Sequence, residues 1–102
     1  MMTPAKGKLV LRVPDDVASV LKKLHPAIKS HIQSGLLTIL NDPYSGKALK
    51  DELQGLRSYR VKRYRIIYRV RLRKQHIEII TIGPRRIIYE ETFRTISENR
   101  NA

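Results

Sequence analysis

The chain has no cysteine, no tryptophan, one phenylalanine and only nine acidic residues among 102. Without cysteine there is no disulfide framework, no thiolate nucleophile and no cysteine-ligated zinc site. Scarce carboxylates argue against metal-dependent phosphoryl chemistry, which needs clustered acids. No apolar run approaches the length of a membrane span, so no membrane partner is expected. The opening stretch MMTPAKGKLVLRVP lacks the long apolar core and small-residue cleavage site of a secretory signal. These absences together fit a protein of the reducing cytoplasm. There is no glycine-rich phosphate loop and no Ser-His-Asp arrangement. His25, His31 and His76 lack metal-ligand spacing and read as surface histidines. Neither a cofactor nor a metal is expected.

What the chain does carry is positive charge. Lys and Arg number 21, the net charge is +12, and the sequence pI is about 10.5. Such a balance implies an anionic partner. The length predicts one domain over residues 1–102, with residues 1–7 as a flexible N-terminus. An apolar fraction of 41% supports one modest core, so any site should be a shallow groove. The charge is not spread evenly. From Arg57 to Arg86 there are eleven Lys or Arg residues and one acid, Glu78.

Periodicity sets the expected order of elements. Lys8 to Val13 reads as a strand ending at Pro14. Asp15 and Asp16 suit the first turn of a helix, and Val17, Val20, Leu21 and Leu24 give that helix one apolar face. His25-Pro26 breaks it. A second helix starts near Pro26, carries Ile28, Ile32, Leu36, Ile39 and Leu40 on one stripe, and stops at Asn41-Asp42-Pro43. The pair predicts a helical hairpin. Tyr44 to Gly55 reads as a loop with few apolar anchors (Ala48, Leu49, Leu53) and room for one short turn.

From Leu56 the period becomes two. Leu56–Arg63 and Tyr64–Leu72 read as strands. Tyr64, Ile66, Tyr68, Val70 and Leu72 share the core face; Arg65, Ile67, Arg69, Arg71 and Arg73 share the other, expected to face out of the core. Arg73-Lys74-Gln75 makes a turn. His76–Ile82 is a strand apolar on both faces, with Ile77 and Ile79 on one and Ile80 and Ile82 on the other. It is therefore expected to be central. Residues 86–99 could close the chain as a helix. The predicted class is α+β: an N-terminal strand, an α-helical hairpin, a three-strand antiparallel meander in a twisted sheet, and this C-terminal helix.

Arginines on a strand are suited to phosphate, because the guanidinium fork grips two oxygens. A charged strand face that only blocks aggregation would need one or two lysines. Tyr64 and Tyr68 fall on core positions, whereas Tyr89, after a Gly-Pro break, is a candidate for stacking on an unpaired base. Cleavage without a metal is specific to RNA: the 2′-hydroxyl attacks the adjacent phosphorus. It needs a base, a phosphate clamp and stabilisation of the leaving oxygen. A lysine serves as base if neighbouring cations disfavour its charged form. Lys62, with Arg60, Arg63 and Arg65 near it in sequence, stands in such company.

Three segments carry a family resemblance: Leu53-Gln54-Gly55-Leu56-Arg57-Ser58-Tyr59-Arg60-Val61, Tyr64-Arg65-Ile66-Ile67-Tyr68, and Ile82-Gly83-Pro84-Arg85-Arg86-Ile87-Ile88-Tyr89. They resemble the RelE/ParE superfamily of type II toxins over residues 8 to 97. The resemblance implies a small microbial RNase fold. It implies mRNA cleavage in the ribosomal A site, without metal and through the 2′-hydroxyl. It also implies a cognate antitoxin that wraps the toxin, and a ribosome with mRNA as target. Position by position, it implies that Arg60 and Lys62 form the basic pair, with Lys62 the base, and that Arg65 binds the scissile phosphate. Arg85 would stabilise or protonate the leaving oxygen, and Tyr89 would orient or stack on a base.

Arg57, Arg63, Arg69, Arg71, Arg73 and Arg86 are then expected to contact RNA around the site. Many members carry His or Lys where this chain has Pro84. The hairpin is short, so Arg63 could take the role of Lys62. Glu78 matches no catalytic carboxylate position. The alternative branch is a ParE-like inhibitor of DNA gyrase, which shares the fold and generally lacks the catalytic set. A plain RNA-binding module would need the patch but no strict set of residues.

Overall fold

The computed structural model describes residues 9–84 and 88–101. The expected flexible N-terminus, residues 1–7, lies outside them. Strand β1 (Val10–Arg12) leads into helix α1 (Asp15–Lys23). Pro14 precedes that helix, and the Oδ1 of Asp16 accepts from the N–H of Val17 at 2.9 Å. Acids in its first turn and lysines in its last both suit the helix dipole. Helix α2 (Pro26–Asn41) follows immediately. His25 caps it, its Nδ1 accepting from the N–H of Ala27 at 3.1 Å, and Pro26 occupies the first turn, where no N–H is needed. The helical hairpin is as expected, except that Val20 is exposed.

Strands β2 (Lys47–Ala48), β3 (Arg57–Val61), β4 (Tyr64–Arg71) and β5 (His76–Pro84) complete a five-stranded sheet of order β1-β5-β4-β3-β2. The meander β3-β4-β5 is antiparallel, and β1 pairs parallel to β5. Strand β5 is interior, as its two apolar faces require. Helix α3 (Ile88–Asn101) closes the chain.

Four expectations need correction. Strand β3 stops at Val61, because Lys62 and Arg63 form the turn to β4. Part of the segment read as loop is the short strand β2, while its one short turn is the 3-10 turn Asp51–Leu53, seated by Leu49 and Leu53. Leu72 begins a second 3-10 turn and is 61% exposed, so it leaves the core face. Finally, Ile80 and Ile82 do not share a face. A β-bulge shifts the register so that Ile67 pairs with Thr81 and Tyr68 with Ile79, leaving Ile80 as the extra residue. Ile82 therefore joins Ile77 and Ile79, and Ile80 points to the other side.

The sheet thus has two cores. On one face α1 and α2 bury Ile32, Leu36, Ile39, Val61, Ile66, Tyr68, Ile77, Ile79 and Ile82. Gly35 permits this approach: a Cβ there would lie 2.8 Å from Cγ2 of Val61. On the other face Leu56, Ile67, Ile80 and Ile88 form a smaller cluster, with Leu49, Leu53 and Ile96 packed around it. The face expected to look out of the core is therefore partly roofed by α3. Arg65, Arg69 and Arg71 are half-buried there, and Arg73 has left the strand for the exposed turn.

Tyr68 links core to loop. Its hydroxyl donates to the carbonyl of Pro43 at 2.7 Å and accepts from the N–H of Gly46 at 2.9 Å. Replacing it leaves a buried N–H without a partner, which costs about 1–3 kcal/mol. Tyr68→Phe should lower unfolding stability by that amount in urea titration, with an unchanged m-value.

Candidate active site

The β3–β4 hairpin fixes the candidate residues at one end of the sheet. Register places Arg60 opposite Arg65, and Arg65 opposite Gly83, in one cross-strand row. Directly opposed residues point to the same face, here the side that carries α3. Gly83 puts no side chain beside Arg65. A Cβ there would meet Cδ1 of Ile88 at 3.1 Å, so the first turn of α3 comes down onto this glycine. Tyr89 follows Ile88 on that turn and is 39% exposed. Arg60, Arg65 and the start of α3 are therefore assembled around a bare glycine.

Arg65 is held from below. Its Nη1 donates to Oγ of Ser58 at 3.2 Å. Ser58 is 2% exposed, one of two buried polar residues among those described. The Nε of Arg65 is buried with no acceptor. A guanidinium fixed at one nitrogen and unsatisfied at another is prepared for an anion. Ser58 did not stand out as a functional residue in the sequence. The usable signal was alternation, which puts it on the same face as Arg60.

Lys62 occupies the hairpin tip with a left-handed backbone, φ 56°. Its carbonyl accepts from Nε of Arg60 at 3.4 Å, so the two members of the expected basic pair are joined through the turn. Lys62 and Arg63 are both exposed at this tip. Arg85 and Arg86 lie outside the described residues, directly after Pro84.

Of the other predicted RNA contacts, Arg57, Arg69, Arg71 and Arg73 do not gather here. Arg69 and Arg71 lie further along β4, opposite Glu78 and His76. Nε of Arg71 is 3.6 Å from Oε1 of Glu78, an ion pair too long for a hydrogen bond. Partly exposed, it contributes at most about 1 kcal/mol. Arg57 turns away to the helix side. Its guanidinium donates to the carbonyls of Gly46 at 3.0 Å and Tyr44 at 3.2 Å, and stacks 5.2 Å from the Tyr44 ring centre. Arg57 and Arg73 border a groove of about 440 Å³ at the opposite end of the sheet, with Leu72 and Val70. Arg57 is thus first a clamp on the Tyr44–Gly46 loop. Among the described residues no three His, Cys, Asp or Glu side chains gather as a metal-binding group.

This sheet with its helical hairpin and its cation row is that of a small toxin of the RelE/ParE class. The profile of the family described as ParE toxin of type II toxin-antitoxin system, parDE, matches residues 11–89, and the chain belongs to that family. Three solved structures are similar. A chain of the RelBE2 toxin-antitoxin complex from Mycobacterium tuberculosis is 26% identical with a TM-score of 0.69, over 76% of this chain and 99% of that one. A mutant of the E. coli toxin RelE in the free state is 16% identical with a TM-score of 0.73, over 90% and 97%. A chain of the archaeal RelE-RelB complex from Pyrococcus horikoshii is 23% identical with a TM-score of 0.63, over 76% and 96%. No curated protein sequence matches significantly. Among the described residues no helix is long and apolar enough to cross a membrane.

Removing the Ser58 hydroxyl frees Arg65 to other rotamers. On the expectation that Arg65 binds phosphate, Ser58→Ala should weaken binding of single-stranded RNA about three- to tenfold, the net value of a typical intramolecular hydrogen bond. Fluorescence anisotropy at fixed salt measures this, and circular dichroism checks that the fold is kept.

Proposed function

We propose that this toxin is a ribosome-dependent, metal-independent mRNA endonuclease that cuts in the A site and arrests translation. The observation that carries the reading is the row of Arg60 and Arg65 beside Gly83, with Arg65 fixed by Ser58 and its Nε left unpaired. No carboxylate stands opposite either arginine in this row, so a phosphate is the natural counter-charge.

In this reading Arg65 grips the scissile phosphate. Lys62, or Arg63 beside it, serves the 2′-hydroxyl at the hairpin tip. Lys62 takes the proton as the 2′-oxygen attacks phosphorus and the bond to the 5′-oxygen breaks. The products are a 2′,3′-cyclic phosphate and a 5′-hydroxyl. Arg60 and Arg65 stabilise charge on the phosphorane, and Arg85 stabilises or protonates the leaving oxygen. Tyr89 supplies a ring against which the neighbouring base is oriented. Arg63, Arg69, Arg71, Arg73 and Arg86 extend the field toward ribosomal RNA. Its cognate antitoxin, in the cytoplasm, would neutralise the same charge; the similar archaeal toxin chain comes from a complex with RelB.

The second reading is a ParE-like gyrase inhibitor without nuclease activity, favoured by the parDE description of the matching family. Primer extension on mRNA from cells expressing the chain separates the two. Codon-phased cuts support the nuclease; intact mRNA with gyrase-dependent DNA breaks establishes the alternative. Arg85→Ala should abolish translation arrest while the protein stays folded, and arrest at wild-type strength would remove Arg85 from the mechanism. Arg65→Ala should reduce the slope of log affinity against log salt for ribosome association by about one phosphate contact.

A further inference from the structure

On the helix side of the same hairpin lies a second groove, of about 220 Å³. One wall is α2, which lays His31, Ser34 and Thr38 along a single stripe. The other is the edge of β3 with the turn after it, which brings Tyr59, Arg60 and Lys62. The groove exists because β2 pairs only with Arg57 and Ser58, leaving Tyr59 to Val61 with no strand beyond them. Gly35 sets its depth by letting α2 close onto Val61 and Tyr59. No acid lines it. Thr38 donates its hydroxyl to the carbonyl of Ser34 at 3.1 Å, whereas the exposed His31 ring and Ser34 hydroxyl have no hydrogen-bond partner among the described residues. The half-buried ring of Tyr59 is held by the core and also lines the groove.

We propose that this groove is a nucleotide subsite for single-stranded RNA, taking the nucleotide next to the scissile one. It rests on the nuclease reading above, because Arg60 and Lys62 belong to both places and join them around the hairpin tip. Two cations suit a phosphate, the free imidazole and hydroxyl suit a ribose or base edge, and Tyr59 offers an aromatic surface. The lining favours RNA over an added peptide strand. A strand would gain main-chain hydrogen bonds, but its side chains would find cations and hydroxyls where apolar pockets are needed. His31 and Ser34 are thereby specificity residues outside the catalytic set.

The test is a titration of the isotope-labelled full chain with a 2′-O-methyl trinucleotide, which cannot be cut through its 2′-oxygen, followed by NMR. The expected result is saturable shifts at His31, Ser34 and Tyr59 together with Arg60 and Lys62. Ser34→Glu, which places a carboxylate in the groove at an exposed position, should weaken the trinucleotide about tenfold. His31→Ala should weaken it about three- to fivefold. Shifts confined to Arg65, Ser58 and α3, or a silent groove in a protein that still cuts ribosome-bound mRNA, would overturn the subsite and leave the nuclease standing. Occupation of this edge by a peptide strand with no response to RNA would also overturn it. Failure of the wild-type chain both to cut mRNA on ribosomes and to bind the trinucleotide would overturn the two together.

Discussion

Two isoleucines on the cationic side of the sheet govern the design. Ile67 and Ile80 stand on the face that also carries Arg60, Arg65, Arg69 and Arg71, and both are buried. Left open, they would expose an apolar patch among arginines; burying each is worth about 1.5–3 kcal/mol. The bulge in β5 sets Ile80 beside Ile67, and Ile88 and Ile96 of α3 close over them with Leu49, Leu53 and Leu56. The position of α3 follows from this contact, and with it the position of Tyr89. Thr92, wholly buried on the same helix, returns its hydroxyl to the carbonyl of Ile88 at 2.7 Å, so its own polar group is met under the roof.

That roof divides the positive surface. Arg60, Lys62, Arg63 and Arg65 stand at the hairpin end, where Gly83 leaves space. Arg69 and Arg71 lie further along β4 with Glu78, and Arg57 and Arg73 border another groove altogether. What looks in the sequence like one polyanion surface is three environments. One has no carboxylate among the cross-strand partners of its arginines, one is partly compensated by Glu78, and one is tied to backbone carbonyls and an aromatic ring.

Much of this was legible from residue patterns. Proline and the acid pair fixed the start of α1, His25-Pro26 the break, and alternation the core face of β4. The unread parts have specific causes. A bulge has no fixed sequence signature, so the parity of Ile80 and Ile82 could not be read from alternation. The turn at Lys62-Arg63 lacks the Asn-Gly or Asp-Gly that marks most two-residue hairpins. A left-handed lysine there is set by the strands it joins. Strand β2 is two residues long and exists only because β3 offers it an edge. Ser58 carries no charge, and its importance comes only from the neighbour it touches.

The arrangement has an energetic consequence for the free protein. Among the described residues the Nε groups of Arg65 and Arg69 are buried without an acceptor, and that of Arg71 has only Glu78 at 3.6 Å; a buried donor left unmet costs about 1–3 kcal/mol. Like charges crowd the same strand, so the chain's net charge of +12 works against its own compactness. Replacing these arginines by neutral residues would relieve both penalties, yet would discard the positive charge of the row. A bound polyanion supplies the counter-charge that the row lacks. Whatever occupies the row, RNA or an acidic protein, therefore stabilises the native state by an amount set by its affinity. An antitoxin that covers this charge would then act as an inhibitor and as a stabilising subunit through the same contacts.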